Sequence, residues 1–451
     1  MSRPVVKALA AAALAFVALC AHAQETLSKS TLSNSTLSNS VLIRNATVHT
    51  AGPQGTLRNA DVLIANGTIR AVGNDLAAPA GAQVVDAQNR PLTPTLFGGI
   101  TGIGIEEVSG ERGTVDTQLG LGTEGRPMTV RPEFDVTLAY NPDSVLVPVS
   151  RVEGIGWTLL GAGSGDGGSI ISGQGGVMRL DGQPDPIGAR VLFVDIGSDA
   201  AALSGRSRAA QWMILDQLID EVRGRIGPDS HAALLTPAGR ATLARYIGGG
   251  GRVVVGVDRA ADIRQLLRWA RRHDVRIAIA GGAEAWKLAP ELAAARVPVF
   301  VDPLANLPSG FDQIGATMEN AARLRAAGVA VSFSQAGDAA HNARKNRQLA
   351  GNAVANGLPW ADGLAGLTSV PAQAFGVADT LGSIAPGKRA DLVLWSGDPL
   401  EVSEVALQVW LDGHAVPMRS RQTELRDRYL RHVPSADNGG LPRAYPPVDA
   451  R

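Results

Sequence analysis

The sequence predicts an α/β protein: a (β/α)8 TIM-type barrel carrying a small β-sandwich domain built from both ends of the chain. Three observations predict it. The middle alternates short apolar runs with helical stretches, and the two ends read as strands alone. The 451 residues, 45% of them hydrophobic, are enough for one large barrel with an addition.

At the N-terminus, MSRPVVK carries Arg3 and Lys7, and the 13-residue apolar stretch ALAAAALAFVALC follows. Ala21-His22-Ala23 then supplies a small-x-small cleavage site. Residues 1–23 therefore read as a secretory signal peptide, too short to span a bilayer. A lipoprotein signal using Cys20 is the rival reading, but Leu19 is larger than the small residue such a signal places before its cysteine. Cys20 is the single cysteine, so the mature chain has none; this fits a periplasmic or secreted protein whose core makes disulfides unnecessary. Residues 24–40, TLSKSTLSNSTLSNS in their larger part, are a polar low-complexity linker.

From residue 41 the pattern is that of strands. VLIRNATVHT, ADVLIANGTIRAVG and AQVVDAQ make the first part of the sandwich, 41–92, with a hairpin signal at Asn66-Gly67. ADLVLWSGDP and EVALQVWLDGHAV make its second part, 378–418, with another hairpin signal at Asp412-Gly413. Such segments pair only if a closed body between them brings the ends together. A C-terminal helix and tail fill 419–451.

The body is 93–377. ARVLFVDIG, RVVVGVD, RIAIAGG, VPVFVDP and VAVSFSQAG are near-continuous apolar runs, the mark of parallel strands buried on both faces. Helical stretches separate them. In AADIRQLLRWARRHD, Ile263, Leu266, Leu267 and Ala270 form an inward stripe, with Arg264, Arg268, Arg271 and Arg272 facing water. Repeated units of this kind favour a barrel over an open sheet, with chemistry at the C-terminal strand ends.

Charge narrows the partners. Lys plus Arg and Asp plus Glu both total 42, and no long basic run appears, so neither nucleic acid nor a membrane is expected as partner. GLGTEG (120–125) and GSGDGG (163–168) match G-x-G-x-x-G, but neither opens a helix, so no dinucleotide site follows.

Four stretches carry a family resemblance: DVLIANGTIRAVG, PLTPTLFGG, GGAEAWKLAPELAAARVPVFVDP and, most specifically, AGLTSVPAQAFGVADTLGSIAPGKRADLVLWSGDPLE. The chain resembles the amidohydrolase superfamily, on its imidazolonepropionase-like branch, over roughly residues 41 to 420. The resemblance implies a metal-binding barrel with a small β sandwich, zinc or iron as cofactor, and hydrolysis of non-peptide C–N bonds. The ligand positions depart from that pattern. The His-x-His pair of the first strand falls on Ile100 and Gly102, the fifth-strand histidine near Gly256, and the sixth-strand histidine on Gly281. The eighth-strand aspartate falls near Ala336 or Asp338. A catalytic zinc needs about three N or O protein ligands around an open position, and Ile and Gly side chains offer none. No cofactor is expected. The function implied is a metal-free, non-classical or non-catalytic homologue binding a small-molecule ligand or a homologous amidohydrolase subunit, as a homo- or hetero-oligomer.

The alternative is an active C–N hydrolase with a rebuilt site around Asp338, His341 and Glu106. Asp338, His341 and Asn342 follow the last strand and read either as an acid–base site or as a helix cap on a surface loop. Glu106 and Glu107 follow the first strand and read as a base or as solvated loop carboxylates. Glu284, Asp195 and Asp302 also sit at strand ends, where capping and turn roles compete with ligation. Mass spectrometry of exported protein is expected to find an N-terminus at or near Gln24; a diacylglycerol on Cys20 would establish the lipoprotein reading instead.

Overall fold

The computed structural model describes residues 40–119, 130–165, 168–337 and 339–431. The signal sequence with Cys20, most of the linker, GLGTEG, the centre of GSGDGG, Asp338 and the tail from 432 lie outside the described residues. Among the described residues, no helix is long and apolar enough to cross a membrane.

The first five strands are β1 (Ser40–His49), β2 (Thr56–Ala65), β3 (Thr68–Gly73), β4 (Gln83–Asp86) and β5 (Pro91–Pro94). The barrel follows after one residue: β6 (Leu96–Thr101), β7 (Ile155–Leu160), β8 (Ile171–Arg179), β9 (Ile187–Asp195), β10 (Arg252–Val257), β11 (Arg276–Gly281), β12 (Val299–Val301) and β13 (Val331–Phe333). The chain then returns through β14 (Leu392–Trp395), β15 (Ala406–Leu411) and β16 (His414–Ala415).

The two chain ends share one sheet, ordered β16-β15-β14-β5-β1-β2-β3, with β4 also paired to β1. β5 is the joint: it lies parallel to β1 and antiparallel to β14. Both hairpin signals are real turns. Asn66 and Gly67 have φ of 51° and 71°, and Asp412 and Gly413 have 54° and 73°, the positive values a two-residue type I′ turn demands. The two tips press together. A Cβ on Gly413 would lie 2.9 Å from Ile64 Cγ2 and 3.0 Å from the Gly67 Cα.

In the barrel, strand order follows chain order from β6 to β13. Here the expectation of an all-parallel barrel needs one correction: β8 runs antiparallel to both β7 and β9. Its connections, 161–170 and 180–186, are shorter than the dozen or so residues a parallel crossover requires. The lumen is packed, not open. Phe97 meets Trp157 at 4.7 Å between ring centroids and Phe300 at 6.1 Å, and Phe375 stacks on Phe300 at 5.1 Å. Outward-facing Val253, Val255, Ile277 and Ile279 pack with helix Ala260–His273, which buries Ile263, Leu266 and Ala270 as its periodicity predicts and Trp269 besides. Its arginines 264, 268, 271 and 272 are exposed.

β6 and β13 share no ladder. The gap is closed by side chains: the Asn346 amide donates to the carbonyls of Phe97 and Phe333 at 3.0 and 3.2 Å, and Ser334 Oγ accepts from Ile100 N–H at 3.1 Å. The next residue, Arg347, is buried; it donates to the carbonyls of Pro399 and Glu404 and lies over the Trp395 ring. On the opposite side, Arg389 joins Asp391 of the small domain to Asp181 of the β8–β9 connection at 2.9 and 2.7 Å.

Gly413→Ala combines a left-handed backbone with a contact that backbone atoms cannot relieve, and is expected to cost about 2 kcal/mol. Urea unfolding of the variant checks this; unchanged stability would mean that the hairpin tips slide apart freely.

Candidate functional site

The C-terminal strand ends form the mouth of the barrel, and carboxylates dominate it. Asp195 ends β9 on the lumen face, above Val191 and Phe193, and pairs in register with Gly256. Its Oδ2 accepts from Ser164 Oγ at 3.1 Å and Ser172 Oγ at 2.8 Å. Asp258, just beyond β10, accepts from Ala283 N–H at 3.0 Å and Gln313 Nε2 at 2.8 Å. Asp302, beyond β12, accepts from the amides of Leu304 and Ala336. Glu284 accepts from Ala260 N–H at the start of helix Ala260–His273, from Gly315 N–H and from Lys287. Asp312 accepts from Ser198 and Arg208.

These contacts divide the sequence candidates. Asp302 and Glu284 are loop acceptors, the turn and capping roles anticipated for them, although Glu284 caps the preceding helix and not its own. Glu106 and His341 do meet. The loop after β6 folds Glu106 back over Gly102, and the helical turn Ala339–Asn342 brings His341 Nε2 to 3.9 Å from Glu106 Oε1. That is ion-pair range but longer than a hydrogen bond. Asp338, the third member of the proposed set, lies outside the described residues. Glu107 is half-buried, its amide held by the Thr114 carbonyl.

Burial lifts the Asp195 carboxyl above its ordinary value of 3.8, against the lowering effect of the two serine hydroxyls. The Glu284 carboxyl is also desolvated, but its bonds to Lys287, Ala260 and Gly315 outweigh that and hold it below its ordinary value.

With this geometry in hand, likeness to known proteins becomes informative. Residues 239–416 match the amidohydrolase family. Over that stretch, 178 of the 451 residues, the chain is similar to amidohydrolases. Among solved structures, an amidohydrolase from Thermotoga maritima MSB8 shares the fold with a TM-score of 0.72, at 24% identity, over 84% of this chain and all of that one. A prolidase complexed with N-methylphosphonate-L-proline aligns with a TM-score of 0.51 at 15% identity, over 84% of this chain and all of that one. Among curated proteins, amidohydrolase tasK of Hapsidospora irregularis is 46% identical over 59 residues, a match spanning 13% of this chain and 6% of that protein's length.

Counted from β6, β10 and β11 are the fifth and sixth barrel strands, so Gly256 and Gly281 stand on the strands from which amidohydrolase ligands would come. The residues present do not fit a catalytic metal. A Cβ at Gly256 would lie 2.7 Å from Asp195 Oδ1, and one at Gly102 2.9 Å from Glu106 Oε2. At Gly281 it would lie 2.7 Å from Asp258 Oδ1, on a backbone of φ 87° that disfavours any side chain. Ile100 packs beside Gly161 and the Phe193 cluster. Among the described residues, no three His, Cys, Asp or Glu side chains are placed to hold one ion.

Sequence reasoning missed Ser164, Ser172, Asp258, Asp312 and Gln313. Asp258 ends the run VVVGVD and had a signal in that position; Ser172 lies at the start of β8 and the others lie in connections, and their partners are distant in sequence.

The raised Asp195 carboxyl has a definite sign. Between 3.8 and its folded-state value, the folded protein holds more protons than the unfolded one, so stability falls as pH rises through that window. Asp195→Asn removes the charge. Its melting temperature relative to wild type is expected to climb as pH rises above the ordinary carboxyl value of 3.8; a flat or falling difference would show that Asp195 is comfortably ionised.

Proposed function

We propose that this is an exported amidohydrolase-fold protein that has left metal chemistry and works by binding, either a small ligand at the barrel mouth or an active homologous subunit. One observation carries the reading: at three of the five family ligand positions, a nearby carboxylate lies where a ligand side chain would begin. A side chain at Gly102 or Gly256 would have to displace that carboxylate, and at Gly281 the left-handed backbone disfavours one besides. The bulk of the scaffold is retained while the centre serves to hold loops in place.

A second reading rests on the Glu106–His341 approach at 3.9 Å. A carboxylate beside an imidazole is an acid–base pair, and with Asp338 it would make a rebuilt site for hydrolysis of a non-peptide C–N bond.

Elemental analysis of purified protein separates the two from a conventional amidohydrolase. Less than one equivalent of zinc, iron or manganese is expected, and a chelator should leave the melting temperature unchanged. The double variant Ile100→His/Gly102→His should gain no tightly held metal, since two ligands fall short of about three. Stoichiometric metal in wild type, lost in His341→Ala or Asp338→Ala, would defeat the binding reading. Metal-free hydrolysis of an amide or cyclic C–N substrate, abolished by Glu106→Gln, would instead establish the acid–base pair.

A further inference from the structure

The segment 302–316, between β12 and helix Asn320–Ala326, lies at the mouth with its polar and apolar residues arranged in reverse. Its polar groups turn inward and are tied. Asp302 holds the amides of Leu304 and Ala336. Asp312 is buried against Ser198 and Arg208, Gln313 reaches Asp258, and Gly315 bonds Glu284 and Trp286. The large apolar side chains turn outward: Leu304 is 48% exposed, Leu307 78%, Phe311 87% and Ile314 66%.

A loop free to choose would bury its phenylalanine, a gain of about 1.5–3 kcal/mol. This one is denied the choice, because Asp312 and Gln313, next to Phe311, are fixed on other elements. Within one eleven-residue segment the exposures of the four side chains sum to on the order of 500 Å² of apolar surface, comparable with the largest patch on a typical monomer. Doubled across a twofold axis, that gives about 1,000 Å², the lower bound for a specific interface.

Charge identifies the occupant. Between 303 and 316 the single charged residue is Asp312, and Arg208 neutralises it. Such a surface meets its own copy across a twofold axis without placing like charges opposite each other. A lipid surface would call for Lys or Arg beside the apolar residues, and the segment has neither. We infer that residues 304–314 form a self-association surface through which two copies of this chain pair, mouth side to mouth side.

Sedimentation velocity of the purified protein at micromolar concentrations tests this. A dimer is expected, and Phe311→Asp and Leu307→Asp should each weaken it by at least about tenfold, as truncation of a central anchor does. Their melting temperatures should stay near that of the monomeric protein, since both side chains already face solvent. Leu138→Asp, at a side chain 85% exposed elsewhere, should leave the dimer intact. A monomer at every concentration overturns the inference, as does a dimer indifferent to Phe311→Asp. A monomer that binds uncharged phosphatidylcholine vesicles through Phe311 also overturns it, in favour of a lipid occupant.

Discussion

Two neighbouring side chains, Asn346 and Arg347, hold the architecture together. An eight-stranded sheet that curls without pairing its edges leaves two rows of backbone groups exposed. Here the Asn346 amide spans the gap, donating to one carbonyl on each edge. One position on, Arg347 turns the other way and gathers the carbonyls of the 399–404 loop beneath the Trp395 ring. The start of one helix thus closes the barrel and fastens the small domain to it.

Fixed strand ends also explain how the mouth is packed. Glycines at 102, 256 and 281 leave space lined by Glu106, Asp195 and Asp258, and serine hydroxyls, an amide and a glutamine side chain supply bonds to the two aspartates. Hydrogen bonds to a charged acceptor contribute about 1.5–3 kcal/mol each. Asp258, Asp302, Asp312 and Glu284 each tie segments together through such bonds. A metal centre organises loops by pulling ligands to one point. Among the described residues, this mouth organises them through several separate acceptors, which leaves each loop its own anchor.

Much of this was legible in the sequence, for physical reasons that can be named. Asn66-Gly67 and Asp412-Gly413 declared their turns because type I′ geometry admits few residues. The strands carrying Gly256 and Gly281 were legible because the runs around them keep strand patterning. The direction of β8 was not, since an apolar run buried on both faces looks alike in either direction, and only the short connections decide it. Nor was the meeting of Glu106 with His341, which depends on how the 102–119 loop folds back. Arg208 and Asp312 stand more than a hundred residues apart, and no local pattern links them.

The shared sheet also orders the birth of the fold. β5 is flanked by β1, near the start of the chain, and by β14, which is made only after the whole barrel. Until residues 392–395 arrive, β5 has one open edge, and the hydrophobic face around Leu92 and Trp410 is incomplete. Pairings this distant in sequence are slow to form and prone to aggregate while they wait. Synthesis from the N-terminus therefore leaves the small domain to be completed last, by nearly the final strands of the chain.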